Sequence, residues 1–195
     1  MKRKKMMLLS MVVFSLVVFT GIIFVKTGIV ESQTMPFGTN EDVEYSKRLW
    51  QVLVKEKLVG PNAIQTLPYE GKPPHGVVLE TLVSTVTVNG NTGPAYVKAN
   101  YGGKDITRSK VANNRQKYLK SVTVMYKREK GYDSDNQDWY WVKYTPDGGL
   151  HKNPKGMRLA GRVAKGKKKG CIACHIMAEG DDYLYQNDAA QLDQE

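Results

Sequence analysis

Residues 76–93 read GVVLETLVSTVTVNGNTG, and they carry the clearest structural signal in the chain. Valine and threonine are frequent here, and apolar and polar side chains alternate with a period of two, as in a strand that buries one face. The alternation stops at residues 89–93, where asparagine and glycine cluster in a sequence typical of a tight turn. The pattern therefore predicts a long strand over residues 77–88 that is followed by a turn.

Further strands are expected downstream of this turn. The candidate stretches are residues 94–101, 119–129 and 138–145, which are separated by segments rich in glycine, asparagine and aspartate. The polar and basic segment 104–117 lies between two of them, and we expect it to form a loop or a short helix. The chain is thus predicted to be rich in β-structure.

The last predicted strand contains an aromatic cluster. Alternation places Trp139 and Trp141 on one face and Tyr140 on the other. Two interpretations are open: the rings pack into the core, or some of them form the wall of a site for a flat, apolar ligand.

One amphipathic helix is predicted ahead of the strands. Either Thr39 or Asn40 is suited to cap its N-terminus, and acidic residues follow in the first turn. Apolar residues then recur at helical spacing as far as Leu58, and Gly60-Pro61 ends the pattern.

The composition is that of a globular protein. The chain has 195 residues, of which 41% are hydrophobic and 25% charged, so global disorder, collagen-like repeats and a multi-span membrane protein are excluded. The net charge is +10, but much of the excess lies at the N-terminus and the remainder is only mildly basic. Charge alone therefore does not indicate a nucleic-acid partner.

The N-terminus predicts export. Residues 2–5 are all basic, and residues 6–25 are uncharged and long enough to span a bilayer. Because no Ala-x-Ala-like site follows, an uncleaved anchor is favoured over a cleaved signal peptide. The positive-inside bias keeps residues 2–5 in the cytoplasm, so the rest is expected on the periplasmic side of the cytoplasmic membrane, held by a single-pass helix. We expect an anchor or signal at 1–26, a linker at 27–39 and a folded domain at 40–195.

The two cysteines of the chain define its chemistry. They occur in Cys171-Ile172-Ala173-Cys174-His175, the attachment sequence of a c-type haem. Residues i, i+3 and i+4 lie on one side of a helical turn, so both thiols can form thioethers with one porphyrin while the imidazole of His175 reaches the iron. The motif predicts one covalent haem c per chain, with Cys171, Cys174 and His175 as its attachment and ligand residues.

Other uses of two cysteines fit less well. A structural zinc site needs four ligands, and only two further histidines are present, His75 and His151. A redox dithiol or a disulfide suits an exported protein, but the βαβ pattern around a thioredoxin-like motif is absent. The haem motif and the N-terminal segment that predicts export are independent features of the sequence, and they are consistent with each other.

The sixth iron ligand decides between an electron carrier and a site that binds small molecules. Met177 is too close to His175 in the sequence to reach the opposite side of the iron. An upstream ligand would have to be Met125, Met157, His75, His151 or a lysine, and none has a recognisable ligand context. A vacant or weakly held distal position is therefore favoured.

A basic run, residues 162–170, directly precedes the haem motif. It is either a solvated loop or a surface that neutralises haem propionates or attracts an anionic partner. A nucleic-acid interface is not expected, because no aromatic residues interleave the run.

Beyond the haem motif, several blocks of sequence are similar to one known family. The motif lies near the C-terminus rather than early, and the similar blocks span about residues 42–186. They include PHG at 74–76, AYVKANY at 95–101, VTVMYK at 122–127, DWYWVKY at 138–144 and GCIACH at 170–175. In this combination the chain resembles the cytochrome P-460 family.

The resemblance implies a fold of the α+β class, mainly an antiparallel β-sheet with flanking helices. It also implies a histidine-ligated, five-coordinate haem c and, as in several members, a homodimer. Catalytic members oxidise hydroxylamine, and related proteins bind nitric oxide or carbon monoxide. In the catalytic members a lysine is joined to the porphyrin edge; Lys98 is the best match here and Lys104 the second.

Three functions therefore remain open from the sequence. The first is a haem-dependent oxidoreductase that acts on hydroxylamine, with a redox partner protein as electron acceptor. The second is a non-catalytic protein that binds nitric oxide or another diatomic gas. The third is an electron-transfer cytochrome.

Overall fold

The computed structural model describes residues 36–179 and 182–185. The predicted anchor and residues 27–35 of the predicted linker lie outside these residues. Within the described part of the chain, no helix has the length and apolar composition needed to cross a membrane.

The described residues form an antiparallel β-sheet with a few helices, which confirms the α+β prediction. Its six strands lie side by side in chain order, and every neighbouring pair is antiparallel. The strands are β1 (Tyr69–Glu70), β2 (Val78–Val88), β3 (Asn91–Tyr101), β4 (Leu119–Lys127), β5 (Trp139–Tyr144) and β6 (Ala160–Gly161). The helices are α1 (Asn40–Lys55), α2 (Arg108–Asn113), α3 (Arg115–Tyr118) and α4 (Cys171–His175), with a 3-10 turn at Ser134–Asn136.

The four predicted strands are confirmed, with small changes at their ends. The largest change is in β3, which begins at Asn91 rather than residue 94. Asn89 and Gly90 both have positive φ, as a two-residue hairpin turn requires, so pairing resumes at once. Segment 104–117 forms α2 and most of α3. The two-residue strands β1 and β6 are too short to produce a periodic pattern.

Helix α1 begins as predicted, with Thr39 as its N-cap. Thr39 and Asp42 form a capping box: the backbone N–H of each donates to the side chain of the other, both at 3.1 Å. The helix ends at Lys55, and the residues up to Gly60 form turns. Leu49 and Leu53 point from α1 into the core and are fully buried.

One face of the sheet packs against α1. Val97, Val124 and Val142 are paired across β3, β4 and β5 and form the centre of this core. The hydroxyl of Tyr144 donates to the carbonyl of Ser46 at 2.7 Å, and the hydroxyl of Tyr140 binds α1 in the same way. Apolar packing and these hydrogen bonds therefore fix α1 on the sheet.

The opposite face carries a second aromatic and apolar cluster. Tyr96, Met125 and Trp141 are paired across the same three strands, one residue out of phase with the valines. Trp139 joins them, and Ile172 of α4 packs against the group. The predicted division of the tryptophans from Tyr140 is confirmed, and the tryptophan face is the one that holds α4.

Candidate functional site

The Cys-x-x-Cys-His turn forms α4, a single short helix pressed onto this cluster. Its N-cap, Gly170, has φ +121°, and a Cβ there would lie 2.3 Å from the Cβ of Ala164, so only glycine fits. The N–H of Ile172 donates to the carbonyl of Val163 at 3.3 Å. The backbone before the motif thus fixes where the helix starts.

Both cysteines are free thiols, one helical turn apart. Burial raises the pKa of the Cys171 thiol to about 11, so it is neutral at physiological pH. Redox-active dithiols show the opposite shift, because they need a stabilised thiolate. The electrostatics at Cys171 therefore disfavour the redox alternative.

His175 is buried and firmly oriented. It is 8% exposed, and its Nδ1 lies 2.8 Å from the carbonyl oxygen of Tyr183. Since a carbonyl only accepts, Nδ1 carries the proton, and in the neutral ring Nε2 has the lone pair that binds metals. This arrangement, in which an oxygen holds one ring nitrogen, is typical of metal-ligating histidines.

Segment 182–185 supports α4 and His175. Trp139 Nε1 donates to the carbonyl of Asp182 at 2.9 Å, and the hydroxyl of Tyr185 donates to the carbonyl of Cys174 at 2.8 Å. The ring centres of Trp141 and Tyr185 lie 4.9 Å and 5.4 Å from that of His175. Aromatic rings therefore limit the freedom of the imidazole.

A third ring beside His175 is the imidazole of His75. The two ring centres are 6.0 Å apart and the rings are nearly perpendicular. Nδ1 of His75 lies 3.3 Å from the hydroxyl of Thr123 on β4, and the buried amide of Asn100 donates to that hydroxyl at 3.2 Å. Of the upstream candidates for the sixth iron ligand, His75 is therefore placed beside the predicted ligand His175.

The remaining candidates for a sixth ligand lie elsewhere or contribute to packing. Met125 and Met157 belong to the apolar cluster around α4. The Nε2 of His151 lies 3.4 Å from the carbonyl oxygen of Lys120.

Lys98 lies on the sheet face that holds the site. It pairs with Thr123, the residue that contacts His75, and follows Tyr96 on the same face of β3. Lys104 is exposed in the turn after β3. Of the two candidates for a porphyrin-linked lysine, only Lys98 is on the face with α4; the link itself stays a prediction.

The basic run before the motif divides into two parts. Lys165 binds the buried carboxylate of Asp133 and lies 3.2 Å from Asp135, and the hydrogen bond to Asp133 raises the pKa of Lys165. Arg162 donates to the carbonyl of Tyr132 and stacks on its ring. Residues 167–169 are exposed lysines. The first part is thus a structural anchor and the second a solvated loop.

The residues around α4 fit a haem. The donor set consists of two thiols and one imidazole on a single turn, next to a wall of aromatic and apolar side chains that suits a flat, apolar ring. In addition, Nε1 of Trp141 is buried with no acceptor among the described residues. A buried donor without a partner is costly, so this N–H is suited to an acceptor supplied by a bound group.

Comparison with known families also indicates a haem protein. The family model described as Cytochrome P460 matches residues 53–186, which is well over half of the chain. The chain belongs to the cytochrome P-460 family. The resemblance inferred from the sequence is therefore confirmed, and with it the assignment as a haem-containing, iron-dependent cytochrome. No curated protein and no solved structure matches the chain.

In this cytochrome P-460 protein, sequence reasoning did not predict that the ring of His75 lies beside that of His175. The two residues are far apart in the sequence. The one indication in the sequence was that His75 lies just before a predicted strand, in the block PHG at 74–76 that resembles the family. Its position depends on the loop between β1 and β2 reaching Thr123 on β4. Local patterns contain no information about that contact.

Proposed function

We propose that this protein is an exported, membrane-anchored monohaem c-type cytochrome whose iron binds small nitrogen species, with nitric oxide and hydroxylamine as the candidate ligands. Cys171 and Cys174 hold the haem covalently, and His175 is the proximal ligand. The observation that supports this most strongly is the oriented, buried imidazole of His175 on the same turn as both thiols.

The chain contributes attachment, orientation and exclusion of water. The two thiols fix the ring, and the carbonyl of Tyr183 keeps the proton on Nδ1 of His175 so that Nε2 is the ligand atom. Trp139 and Trp141 cover the site on the sheet side and keep water away. When bound, a haem supplies an iron that takes small ligands and exchanges electrons.

Whether the protein is a catalyst or a binder depends on Lys98. Oxidation of hydroxylamine releases electrons and protons, so it requires an electron-acceptor protein and groups near the iron that take protons. Lys98 is the candidate for the porphyrin link that is found in catalytic members. Without that link, reversible binding of nitric oxide is the function that the site supports.

The first experiment uses the full chain, expressed in a host that attaches haem c. We expect an intact mass that exceeds the polypeptide mass by one haem, and an absorption spectrum that shifts on addition of nitric oxide or hydroxylamine. A colourless protein with the bare polypeptide mass would refute the proposal, as would a haem protein that responds to neither ligand.

A second experiment separates catalyst from binder. Lys98→Arg and Lys104→Arg both keep the positive charge, but only the first removes the predicted linking amine. In a catalyst, Lys98→Arg is expected to abolish a haem-to-lysine adduct in the peptide mass spectrum and to remove hydroxylamine oxidation with an added electron acceptor. Lys104→Arg serves as the matched control. Wild-type protein without an adduct would instead support the binder.

The proposed location has its own test. Protease added to spheroplasts should digest the haem domain while a cytoplasmic protein stays intact, and the haem should sediment with membranes. Digestion only after lysis would contradict export.

A further inference from the structure

The outer surface of α4 is apolar where the helix ends. Ile176 and Met177 directly follow the haem motif, and they are 57% and 70% exposed. Their backbone N–H groups donate to the carbonyls of Ile172 and Cys174 at 2.9 Å and 3.1 Å, so the turn of α4 holds both residues in place. Neighbouring large apolar side chains in solvent are typical of a surface that a partner covers.

Tyr185 connects this exposed pair with the predicted iron ligand. It is 41% exposed, and its ring centre lies 5.4 Å from that of His175. Its hydroxyl donates to the carbonyl of Cys174 at 2.8 Å, which fixes the ring against α4. A protein that covers Tyr185 therefore stands one aromatic ring away from the imidazole of His175.

Three consecutive lysines, residues 167–169, lie immediately before α4. All three are exposed, and none of them forms an ion pair with the residues that the structure describes. The other two cations of the basic run are used within the chain, because Arg162 and Lys165 both pair with Asp133. Residues 167–169 are thus the part of the run whose charge is available to a partner.

The lysines and the apolar pair are close enough to meet the same partner. They flank α4, whose five residues span about 8 Å at the rise of an α-helix. One side of a protein–protein interface of standard size covers about 800 Å², which is ample for this distance. Glu179 and Asp182 are exposed as well, but they follow the apolar pair, so the side of α4 that residues 167–169 occupy is positive. This side complements an acidic protein surface.

We propose that the α4 surface, which consists of residues 167–169, Ile176, Met177 and Tyr185, is the docking site of a small, acidic electron-acceptor protein. The inference rests on the proposed function for the haem that supplies the electron. The lysines attract the acidic acceptor, and the apolar residues form the centre of the contact. One electron then passes from the ferrous iron to the acceptor, which leaves a ferric iron and an acceptor reduced by one electron, with no transfer of a proton.

The test uses the full haem-loaded chain in an uncharged detergent. Plastocyanin, an acidic copper protein, is the probe, and mitochondrial-type cytochrome c is a basic acceptor for comparison. We expect the reduced protein to reduce cupric plastocyanin with a second-order rate constant that falls about tenfold or more between roughly 0.01 M and 0.15 M salt. The rate constant with cytochrome c should not fall, because like charges are screened by the same salt.

Charge reversal locates the docking site. In Lys167→Glu/Lys168→Glu/Lys169→Glu we expect the plastocyanin rate constant at low salt to fall about tenfold or more, while the haem spectrum and the response to nitric oxide stay those of the wild type. A matched control makes the same change of charge at exposed lysines of α1, the turn after it and α3, and should stay close to the wild type. The control variant is Lys55→Glu/Lys57→Glu/Lys117→Glu.

A binding measurement tests the surface without electron transfer. Reduced plastocyanin accepts no electron, and the chemical shifts of its backbone amides report binding. We expect weaker binding to Ile176→Asn/Met177→Asn than to the wild type, and unchanged binding to Val54→Asn, which alters an exposed apolar residue of α1. Equal binding to the wild type and to the 176–177 variant, or equal rate constants for the wild type and the 167–169 variant, would overturn the inference.

Sedimentation velocity tests a second copy of the chain as the occupant of this surface. We expect the oligomeric state to be the same in the wild type and in Ile176→Asn/Met177→Asn. A wild-type dimer that this variant converts to a monomer would assign the surface to a second copy and overturn the inference.

These outcomes are independent of those for the proposed function. A haem protein that binds nitric oxide but reduces plastocyanin without dependence on salt or on residues 167–169 would refute the docking site and leave the function intact. A lysine-dependent reaction with plastocyanin in a protein that responds to neither nitric oxide nor hydroxylamine would support the docking site and refute the function.

Discussion

The two faces of the sheet are built from the same strands but are completed in different ways. On the α1 face, valines and tyrosines pack against a long capped helix, and Tyr126, Tyr140 and Tyr144 are fully buried. On the α4 face, a helix of five residues and the loop segments around it cover a cluster of tryptophan, methionine and tyrosine. Lys98, Thr123 and His75 also lie on this side.

The two faces also differ in the chemical groups that they carry. On the α1 face the hydroxyls of Tyr140 and Tyr144 donate to carbonyls of α1, whereas the buried hydroxyls of Tyr45 and Tyr132 have no partner among the described residues. The α4 face keeps a buried indole N–H without an acceptor among the described residues, together with two free thiols and two neighbouring imidazoles. The two thiols and the two imidazoles are the groups of this face that suit a bound group.

Removing the thiols should have the largest effect and should be confined to the α4 face. In the double variant Cys171→Ser/Cys174→Ser we expect complete loss of covalently attached haem, because no thioether can form. Intact mass spectrometry under denaturing conditions measures this directly. His175→Ala is the control, and it should keep the covalent haem while its spectrum changes; retention of covalent haem by the double serine variant would contradict the assignment.

The second-largest effect is expected at alkaline pH, where the contribution of the α1 face to the free energy of unfolding should fall. Burial raises the pKa of Tyr140 and Tyr144 well above the ordinary value of 10. In the unfolded chain these tyrosines ionise near pH 10, so their contribution to stability is fully present below that pH and is lost as the pH rises above it. Urea unfolding followed from pH 8 to 11 checks this, and a free energy of unfolding that stays constant above pH 10 would contradict it.

A cavity beneath α1 tests whether the two faces are independent. Leu49→Ala should cost about 2–5 kcal/mol of unfolding free energy, since Leu49 is fully buried in the α1 core. Val54→Ala, on the exposed side of the same helix, should change it by about 0.5 kcal/mol or less. Both variants should retain the wild-type haem spectrum. A changed spectrum in Leu49→Ala would show that the faces are coupled.

The smallest effect is expected at the start of α1. Thr39→Ala removes the side-chain acceptor of the capping box and should cost about 1 kcal/mol. Thr39→Ser keeps the hydroxyl and should be close to wild type in the same urea titration. Equal stability of the alanine and wild-type proteins would show that Asp42 alone is sufficient to cap the helix.

The strands and the main helix could be predicted because their signals are local. Alternation over 76–88 and the Asn89-Gly90 turn specify a hairpin, and helical spacing with Thr39 at its start specifies α1. The short strands β1 and β6 could not be predicted, because two residues carry no period. Their pairing is decided by the strands beside them.

The sequence by itself determined the chemistry of attachment, because two thiols and an imidazole on one helical turn require only local geometry. It also determined which side chains of β5 share a face. Only the tertiary structure decided what stands beside His175: the carbonyl of Tyr183 behind its ring, and the imidazole of His75 6.0 Å away. Such contacts join residues from separate loops, and their distances follow from how the whole sheet packs rather than from any one stretch of sequence.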